Sequence, residues 1–181
     1  MGMIEIFTPG ILNFLKEKEG FPWESIIVEA QHLGYSTYLI FGNVVPLDLR
    51  MLYTILKRMG NDIKILIRRG FTYHQLLKIV MDLERYHDLV IFFHDPVAFE
   101  DLRADERYAI LGTILISLSS YAGTLNSICI YSSREDISIP IDVRRVSVEF
   151  LRNGWLVRAN GLKRYMYNDP HQTSLDYYME V

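Results

Sequence analysis

The stretch Asp88-Leu-Val-Ile-Phe-Phe-His-Asp95 predicts the architecture of the chain. Its five consecutive apolar residues, Leu89 to Phe93, are too few for an ordinary helix and include β-branched and aromatic side chains, which favours a strand buried on both faces. Pro96 ends this strand because it has no N–H to donate to a sheet. The polar pair His94-Asp95 therefore falls at the carboxyl end of a buried strand, where ligands bind in open α/β sheets.

Segments with strand and helix patterns alternate on both sides of this stretch. Strands are predicted at residues 3–7, 35–41, 63–67 and 127–131, and helices at residues 22–33, 46–59, 72–86 and 104–122. Residues 11–20 fit either an irregular helix or a loop packed through its aromatic side chains. Successive strand–helix units with short connections favour right-handed crossovers and parallel strands. The sequence therefore predicts an α/β fold with three α/β/α layers around a mainly parallel central sheet.

The pattern changes at residue 143. Asn153-Gly154 and Asn160-Gly161 are type I′ turn signals between short segments with strand composition. We predict that residues 143–167 form an antiparallel β-meander at the edge of the sheet. Because no linker divides the chain, residues 1–181 are predicted to form a single domain, with the parallel core at 1–142 and the meander and tail at 143–181.

Composition and charge place the chain in the globular class. It has 181 residues, 23% of them charged, and a net charge of -3 at pH 7, which does not require nucleic acid as a partner. The single cysteine, Cys129, lies in an apolar run and is expected to be a buried thiol in a reducing compartment. No signal peptide is recognised, and the apolar region 108–121 is too short to span a bilayer. We expect a cytoplasmic protein without a membrane partner.

A parallel sheet invites a search for a phosphate-binding loop. Such a loop needs glycines that expose backbone N–H groups, a lysine for the terminal phosphates and a Ser or Thr for magnesium. The first predicted turn, residues 8–15, has one glycine, no Gly-Lys-Ser/Thr sequence, and bulky Ile11, Leu12 and Phe14. The three spaced glycines of a Rossmann loop are also missing. The sequence therefore predicts no P-loop-style nucleotide binding and no cofactor.

The order of elements nevertheless resembles the RecA/RadA recombinase superfamily, especially its short RadB-like and KaiC-like members. Ile4-Glu-Ile-Phe-Thr-Pro-Gly10 is similar to the first strand and the opening of a Walker A motif that does not continue. Asp88 to Asp95 resembles a Walker B strand in which the acidic residue is displaced. Residues 34–41, 63–72, 127–133 and 144–158 are similar to the second, third and fifth strands and the C-terminal hairpin of that core.

The resemblance implies a RecA-like fold from which ATP hydrolysis has been lost or severely altered. Asn43 follows the second strand, where the family usually has a catalytic glutamate. The implied degenerate nucleotide-site positions are Thr8, Pro9, Gly10, Asn43, His94 and Asp95. No catalytic residue is assigned.

Two other polar groups have alternative readings. His94-Asp95 suggests a metal-dependent phosphohydrolase, but His32, His74, His87 and His171 show no ligand spacing, so we predict no metal site and favour polar residues that end a strand. Arg68-Arg69 stands at the carboxyl end of a strand. This pair either grips a phosphate or a partner's carboxylate, or is simply solvated.

The predicted meander is basic. It carries Arg144, Arg145, Arg152, Arg158, Lys163 and Arg164 against one acid, Glu149, with Trp155, Tyr165 and Tyr167 interleaved. Such residues contact nucleic-acid backbones and stack on bases. The alternative is a charged sheet edge that resists aggregation, which we favour because alternation distributes these residues over both faces. Tyr177-Tyr178 in the tail are expected to pack or to dock on a second subunit.

The sequence favours a non-catalytic RecA-like paralogue that acts as an accessory or protein-interaction module in DNA recombination or repair. Its expected partner is another protein or a second copy of the chain. Two alternatives stay open. One is an ATPase with an atypical phosphate-binding loop that uses Lys16 or Lys18 with Asp95, and the other is a DNA-binding module that uses the basic meander.

Overall fold

A single mixed β-sheet organises the described part of the chain, residues 2–60 and 62–167 of a computed structural model. Its strands are β1 (Leu12–Lys16), β2 (Thr37–Phe41), β3 (Ile65–Arg69), β4 (Leu89–Phe93), β5 (Ile128–Ser133), β6 (Arg144–Leu151), β7 (Gly154–Ala159) and β8 (Leu162–Tyr167). The helices are α1 (Trp23–His32), α2 (Leu49–Met59), α3 (Tyr73–Met81) and α4 (Ala104–Leu125). Short 3₁₀ helices span Ile4–Ile6 and Pro96–Phe99.

The strands lie in the order β3-β2-β4-β5-β1-β6-β7-β8. Every pair from β3 through to β6 is parallel, and β7 is antiparallel to both β6 and β8. The α/β fold with a mainly parallel sheet and an antiparallel C-terminal edge is therefore confirmed. Asn160 and Gly161 both have positive φ, 45° and 81°, as a type I′ turn between β7 and β8 requires.

Strand β4 lies in the middle of the parallel region, between β2 and β5, and all five of its residues are buried. Leu89, Ile91 and Phe93 belong to a hydrophobic cluster with residues of α1 and α2. Val90 and Phe92 belong to a second cluster with residues of α3 and α4. The prediction of a strand buried on both faces is confirmed, since alternate side chains of a strand point to opposite faces.

The predicted first strand is wrong. Ile4–Ile6 forms a 3₁₀ helix, and β1 instead lies within residues 11–20, whose sequence fits an irregular helix or a loop. The carboxylate of Glu29 on α1 accepts hydrogen bonds from the backbone N–H groups of Met3 and Ile4, at 2.9 and 3.1 Å. This contact between residues about 25 positions apart holds the N-terminal turn against the core. It cannot be predicted from the local sequence pattern.

A buried polar residue concealed β1 from its sequence pattern. Asn13 is the second residue of the strand and is fully buried. Its side-chain amide donates to the carbonyl oxygens of Thr8, Ile11 and Cys129, and its Oδ1 accepts from the N–H of Thr8 at 3.0 Å. Both polar atoms of this side chain therefore have hydrogen-bond partners, in the turn that leads into β1 and on β5, which makes its burial tolerable.

Helix boundaries follow their capping residues. Thr72 caps α3 as predicted, but the helix ends at Met81 rather than near residue 86. Helix α2 begins at Leu49 instead of near Pro46, because the carboxylate of Asp48 accepts the N–H of Met51 at 2.9 Å. Gly60 ends α2 with a φ of 65°, a left-handed conformation that glycine adopts without steric cost.

Helix α4 is long and apolar enough, by length and composition alone, to cross a membrane. A core helix meets the same criterion, and the buried side chains of α4 pack in one cluster with residues of β1 and β5. Cys129 on β5 is buried in that cluster as predicted, and burial raises the pKa of its thiol to about 12. The thiol is therefore protonated at neutral pH and unreactive.

Candidate functional site

The carboxyl ends of β1, β4 and β5 meet at one edge of the sheet and line a crevice of about 140 Å³. Glu17 follows β1, His94 follows β4, and Arg134 and Glu135 follow β5. Such an edge is the usual ligand-binding position of an open α/β sheet. We therefore treat this crevice as the candidate functional site.

The imidazole of His94 is held inside the crevice. Its Nδ1 lies 2.8 Å from the hydroxyl of the fully buried Tyr131, and its Nε2 lies 3.6 Å from a carboxylate oxygen of Glu135. The ring stacks on Phe99 with a centroid separation of 5.4 Å. Burial lowers the pKa of His94, although the charge of Glu135 opposes this shift. Burial also raises the pKa of Tyr131, so both groups are neutral at neutral pH.

Glu17 contributes a second carboxylate to the crevice. Only 6% of its side chain is exposed, and Oε1 lies 3.4 Å from the Nε of Arg134. Oε2 accepts a hydrogen bond from the hydroxyl of Ser132. Glu17 and Glu135 together outweigh the single guanidinium of Arg134, so the crevice presents net negative charge. An anionic ligand would meet electrostatic repulsion there.

Asp95 and Asn43 are brought together as the resemblance implied, but their contacts are internal. Asp95 is 1% exposed, and its Oδ2 accepts the backbone N–H and the side-chain amide of Asn43 at 2.5 and 2.7 Å. Its Oδ1 accepts the N–H of Val97 at 3.1 Å. The Asp95 carboxylate thus ties the end of β2 to the end of β4 and caps the short helix after β4.

Thr8, Pro9 and Gly10 lie at the amino ends of the parallel strands, opposite the crevice. They precede β1 instead of following it, and the N–H of Gly10 donates to the carbonyl of Ser127 just before β5. These three residues are therefore separated from Asn43, His94 and Asp95, and the predicted position of the degenerate Walker A turn is wrong. The turn that follows β1 and leads into α1 is residues 17–22.

Aromatic side chains fill the turn at residues 17–22. Phe21 packs edge-on against Trp23 and Trp155, with ring centroids 5.0 and 5.6 Å apart. Trp23 packs edge-on against Phe93 of β4 at 5.1 Å. Phe21 and Trp23 are both buried. The first helical turn of α1 is therefore covered by an aromatic cluster of Phe21, Trp23, Phe93 and Trp155.

Three backbone donors at the end of this turn and the start of α1 already have internal partners. The N–H groups of Phe21, Trp23 and Ser25 donate to the carbonyl oxygens of Lys18, Phe21 and Pro22, respectively, at 3.2, 2.9 and 3.2 Å. A phosphate cradle requires such N–H groups to point outward at the ligand. The N–H groups of Phe21, Trp23 and Ser25 point to backbone carbonyls instead.

Arg68 and Arg69 have different environments. The guanidinium of Arg69 donates to the carbonyl oxygen of Gly42 at 3.1 and 3.3 Å and lies over the rings of Phe41 and Phe71. Arg69 thus holds the end of β3 to the end of β2. Arg68 is exposed. Burial raises the pKa of Tyr38 above its ordinary value, and a hydrogen bond with Arg68 offsets part of this rise.

The cations of the meander are divided between two faces, as strand alternation predicts. Arg144 lies on the face of Val146 and donates to the hydroxyl of Thr8. Arg164 pairs in register with Val157 and shares that face. The opposite face carries Arg145, Arg158 and Lys163, all exposed. Tyr177, Tyr178 and His171 lie outside the described residues.

Sequence reasoning missed Glu17, Arg134 and Glu135. Glu17 gives no site signal in the sequence, because the strand that it follows is not recognised from the pattern of residues 11–20. Arg134 and Glu135 follow a predicted strand that runs parallel to β4, and that position is a signal that would have grouped them with His94.

Known proteins and metal-binding geometry give no assignment for this site. No protein-family model matches the chain, and no curated protein matches its sequence. Within residues 2–60 and 62–167, no group of three or more His, Cys, Asp or Glu side chains has an arrangement that could hold a metal ion.

The buried imidazole of His94 is expected to make stability depend on pH. Because burial lowers its pKa below the ordinary value of 6.5, the unfolded chain binds the proton more readily than the folded protein. The stability that this group contributes is therefore present above pH 6.5 and is lost as the pH falls toward the folded pKa. Denaturant unfolding across this range should show a shallower pH dependence for His94→Gln than for wild type.

The matched control for this prediction is His87→Gln. Burial also lowers the pKa of His87, so this variant should lose only the contribution of His87 and retain that of His94. Glu135, Asp95 and Arg107 also act on His94 and remain in place in both variants. Superimposable pH profiles for wild type and His94→Gln would contradict the prediction.

Proposed function

We propose that the protein is a non-catalytic RecA-like domain that acts through its surface contacts, with ATP binding and hydrolysis lost. The parallel sheet with antiparallel hairpins at its edge supports the RecA-like assignment. The two hydrophobic clusters, one containing α1 and α2 and the other α3 and α4, support a three-layer α/β/α arrangement. Participation in DNA recombination or repair, a protein partner or homo-oligomer, and a cytoplasmic location belong to the same proposal.

One observation carries the proposal. The turn after β1, where a parallel nucleotide-binding sheet cradles a polyphosphate, is occupied by the buried rings of Phe21 and Trp23. The N–H groups of Glu17 and Phe21 donate to backbone carbonyls, and the buried carboxylate of Glu17 belongs to the same turn. Shape, hydrogen bonding and charge therefore all oppose a triphosphate at this position.

The alternative of an atypical ATPase receives less support from the contacts of its residues. The ammonium of Lys16 lies 2.7 Å from Asp136, and the carboxylate of Asp95 accepts three hydrogen bonds from Asn43 and Val97. Lys18 is exposed in the turn. An Asp95 that acted on magnesium would have to give up bonds that hold β2 to β4.

A turnover assay decides between these functions. Wild type and Asp95→Ala are both expected to release phosphate from ATP with magnesium only at the background rate. Asp95→Asn serves as a second variant, because its amide oxygen can still accept hydrogen bonds from Asn43, and circular dichroism verifies that each variant is folded. Turnover by wild type that disappears in both folded variants would establish the ATPase instead.

A further inference from the structure

The outer face of the C-terminal hairpins combines exposed cations with an exposed aromatic ring. Arg145, Arg158 and Lys163 line a crevice of about 220 Å³ beside the turn between β7 and β8. Arg158 pairs directly with Lys163 across the two strands, and Arg145 lies on the neighbouring strand β6. We call Arg145, Arg158, Lys163 and Tyr165 the basic face.

The basic face is open to solvent and is cationic after its internal pairing is counted. Among the described residues, Glu149 is the carboxylate that forms an ion pair with one of these cations. Its Oε2 lies 3.1 Å from Arg158, and the two side chains are 49% and 50% exposed. Exposed ion pairs contribute little to stability, so a phosphate can replace Glu149 at small cost. Arg145 rests over the ring of Phe14, 5.8 Å from its centroid, which fixes the stem of that side chain.

Tyr165 distinguishes this surface from a merely solvated edge. It lies two residues from Lys163 on the same face of β8, and 54% of it is exposed. An exposed ring beside cations is an arrangement on which unpaired bases stack while the phosphates contact Lys and Arg. An acidic peptide would use the cations but would gain little from the flat face of the ring.

We propose that the basic face binds single-stranded nucleic acid, with Arg145, Arg158 and Lys163 on the phosphates and Tyr165 against a base. Arg144 and Arg164 lie on the opposite face and are not part of this site. The cations of the basic face adjoin the turn at Asn160 and Gly161, which lies near the start of β6. The crevice with Glu17 and His94 lies at the other end, at the carboxyl ends of the parallel strands. The proposal therefore goes beyond the loss of ATP binding and stands or falls independently of it.

Fluorescence anisotropy with a labelled oligothymidine tests the proposal. The three cations predict that the association constant falls with salt with a logarithmic slope of about −2, which is roughly twentyfold between about 50 and 200 mM salt. The variant Arg145→Gln/Arg158→Gln/Lys163→Gln should lose this slope and bind at least about tenfold more weakly. Tyr165→Ser should weaken binding about tenfold without changing the slope.

The matched control removes the same charge from α2. The variant Arg50→Gln/Lys57→Gln/Arg58→Gln changes three exposed cations that are distant in sequence from the basic face. It should bind the oligothymidine as wild type does. Equal weakening in both triple variants would overturn the proposal, because total charge would then explain the binding. Polyglutamate that competes as well as oligothymidine, or a Tyr165→Ser variant with full affinity, would also overturn it in favour of an acidic peptide partner. Thermal unfolding of each variant verifies that it is folded.

Discussion

Replacing Trp23 with Ala is expected to lower the free energy of unfolding by about 4 kcal/mol. The side chain is fully buried and packs edge-on against Phe21 and Phe93. Its removal loses the burial of a large aromatic surface and leaves a cavity in the cluster that closes the turn after β1. Urea denaturation followed by circular dichroism measures the change.

Two variants control this measurement. Tyr53→Ala removes an aromatic ring that is 61% exposed on α2, and it should change the stability by less than about 0.5 kcal/mol. Trp23→Phe keeps a ring in place and removes an indole N–H that has no partner among the described residues, so it should cost only about 1 kcal/mol. A Trp23→Ala variant as stable as Tyr53→Ala would show that the aromatic cluster does not close this turn.

Replacing Gly42 with Ala is expected to destabilise the protein by about 3 kcal/mol. A Cβ atom at Gly42 would lie 2.1 Å from Oδ2 and 2.8 Å from Cβ of Asp95. Asp95 is buried and bound to Asn43 and Val97, so it cannot move aside without breaking those hydrogen bonds. The midpoint of unfolding should therefore fall at a lower temperature or denaturant concentration for this variant than for wild type.

Gly123→Ala is the matched control, and its effect should have the opposite sign. Gly123 lies inside α4 and is exposed, and the nearest described atom to an added Cβ is the carbonyl oxygen of Gly10 at 3.7 Å, an ordinary contact. Alanine there should stabilise the helix by about 0.5 to 1 kcal/mol. Equal effects of the two substitutions would contradict the close packing of Gly42 on Asp95.

The parts of the fold that were predictable are those in which local pattern and tertiary environment agree. Residues 89–93 are uniformly apolar and are buried on both faces, and the Asn160-Gly161 turn adopts the backbone that its residues favour. The first strand was not predictable in the same way. Ile4 and Ile6 have strand composition, but the contact of their segment with Glu29 holds it as a 3₁₀ turn.

The position of His94 and Asp95 after a buried strand was predictable from the sequence, but the residues around them were not. His94 and Asp95 follow the carboxyl end of β4 as predicted, because the apolar run that forms the strand ends at Phe93. The partners of His94 were not predictable, since Tyr131 and Glu135 are distant in sequence and depend on the pairing of β4 with β5. Because the first strand was predicted at residues 3–7 and not at Leu12–Lys16, the Walker A-like turn was assigned to Thr8 to Gly10, which precede β1.

Calorimetric titration of the purified protein with ATP and magnesium tests the central claim most directly. The claim is that Phe21, Trp23 and Glu17 occupy the space and supply the wrong charge where a triphosphate would bind. We predict no heat beyond that of dilution, for wild type and for the Glu17→Gln variant alike. A saturable binding curve with a micromolar Kd for wild type would contradict the account.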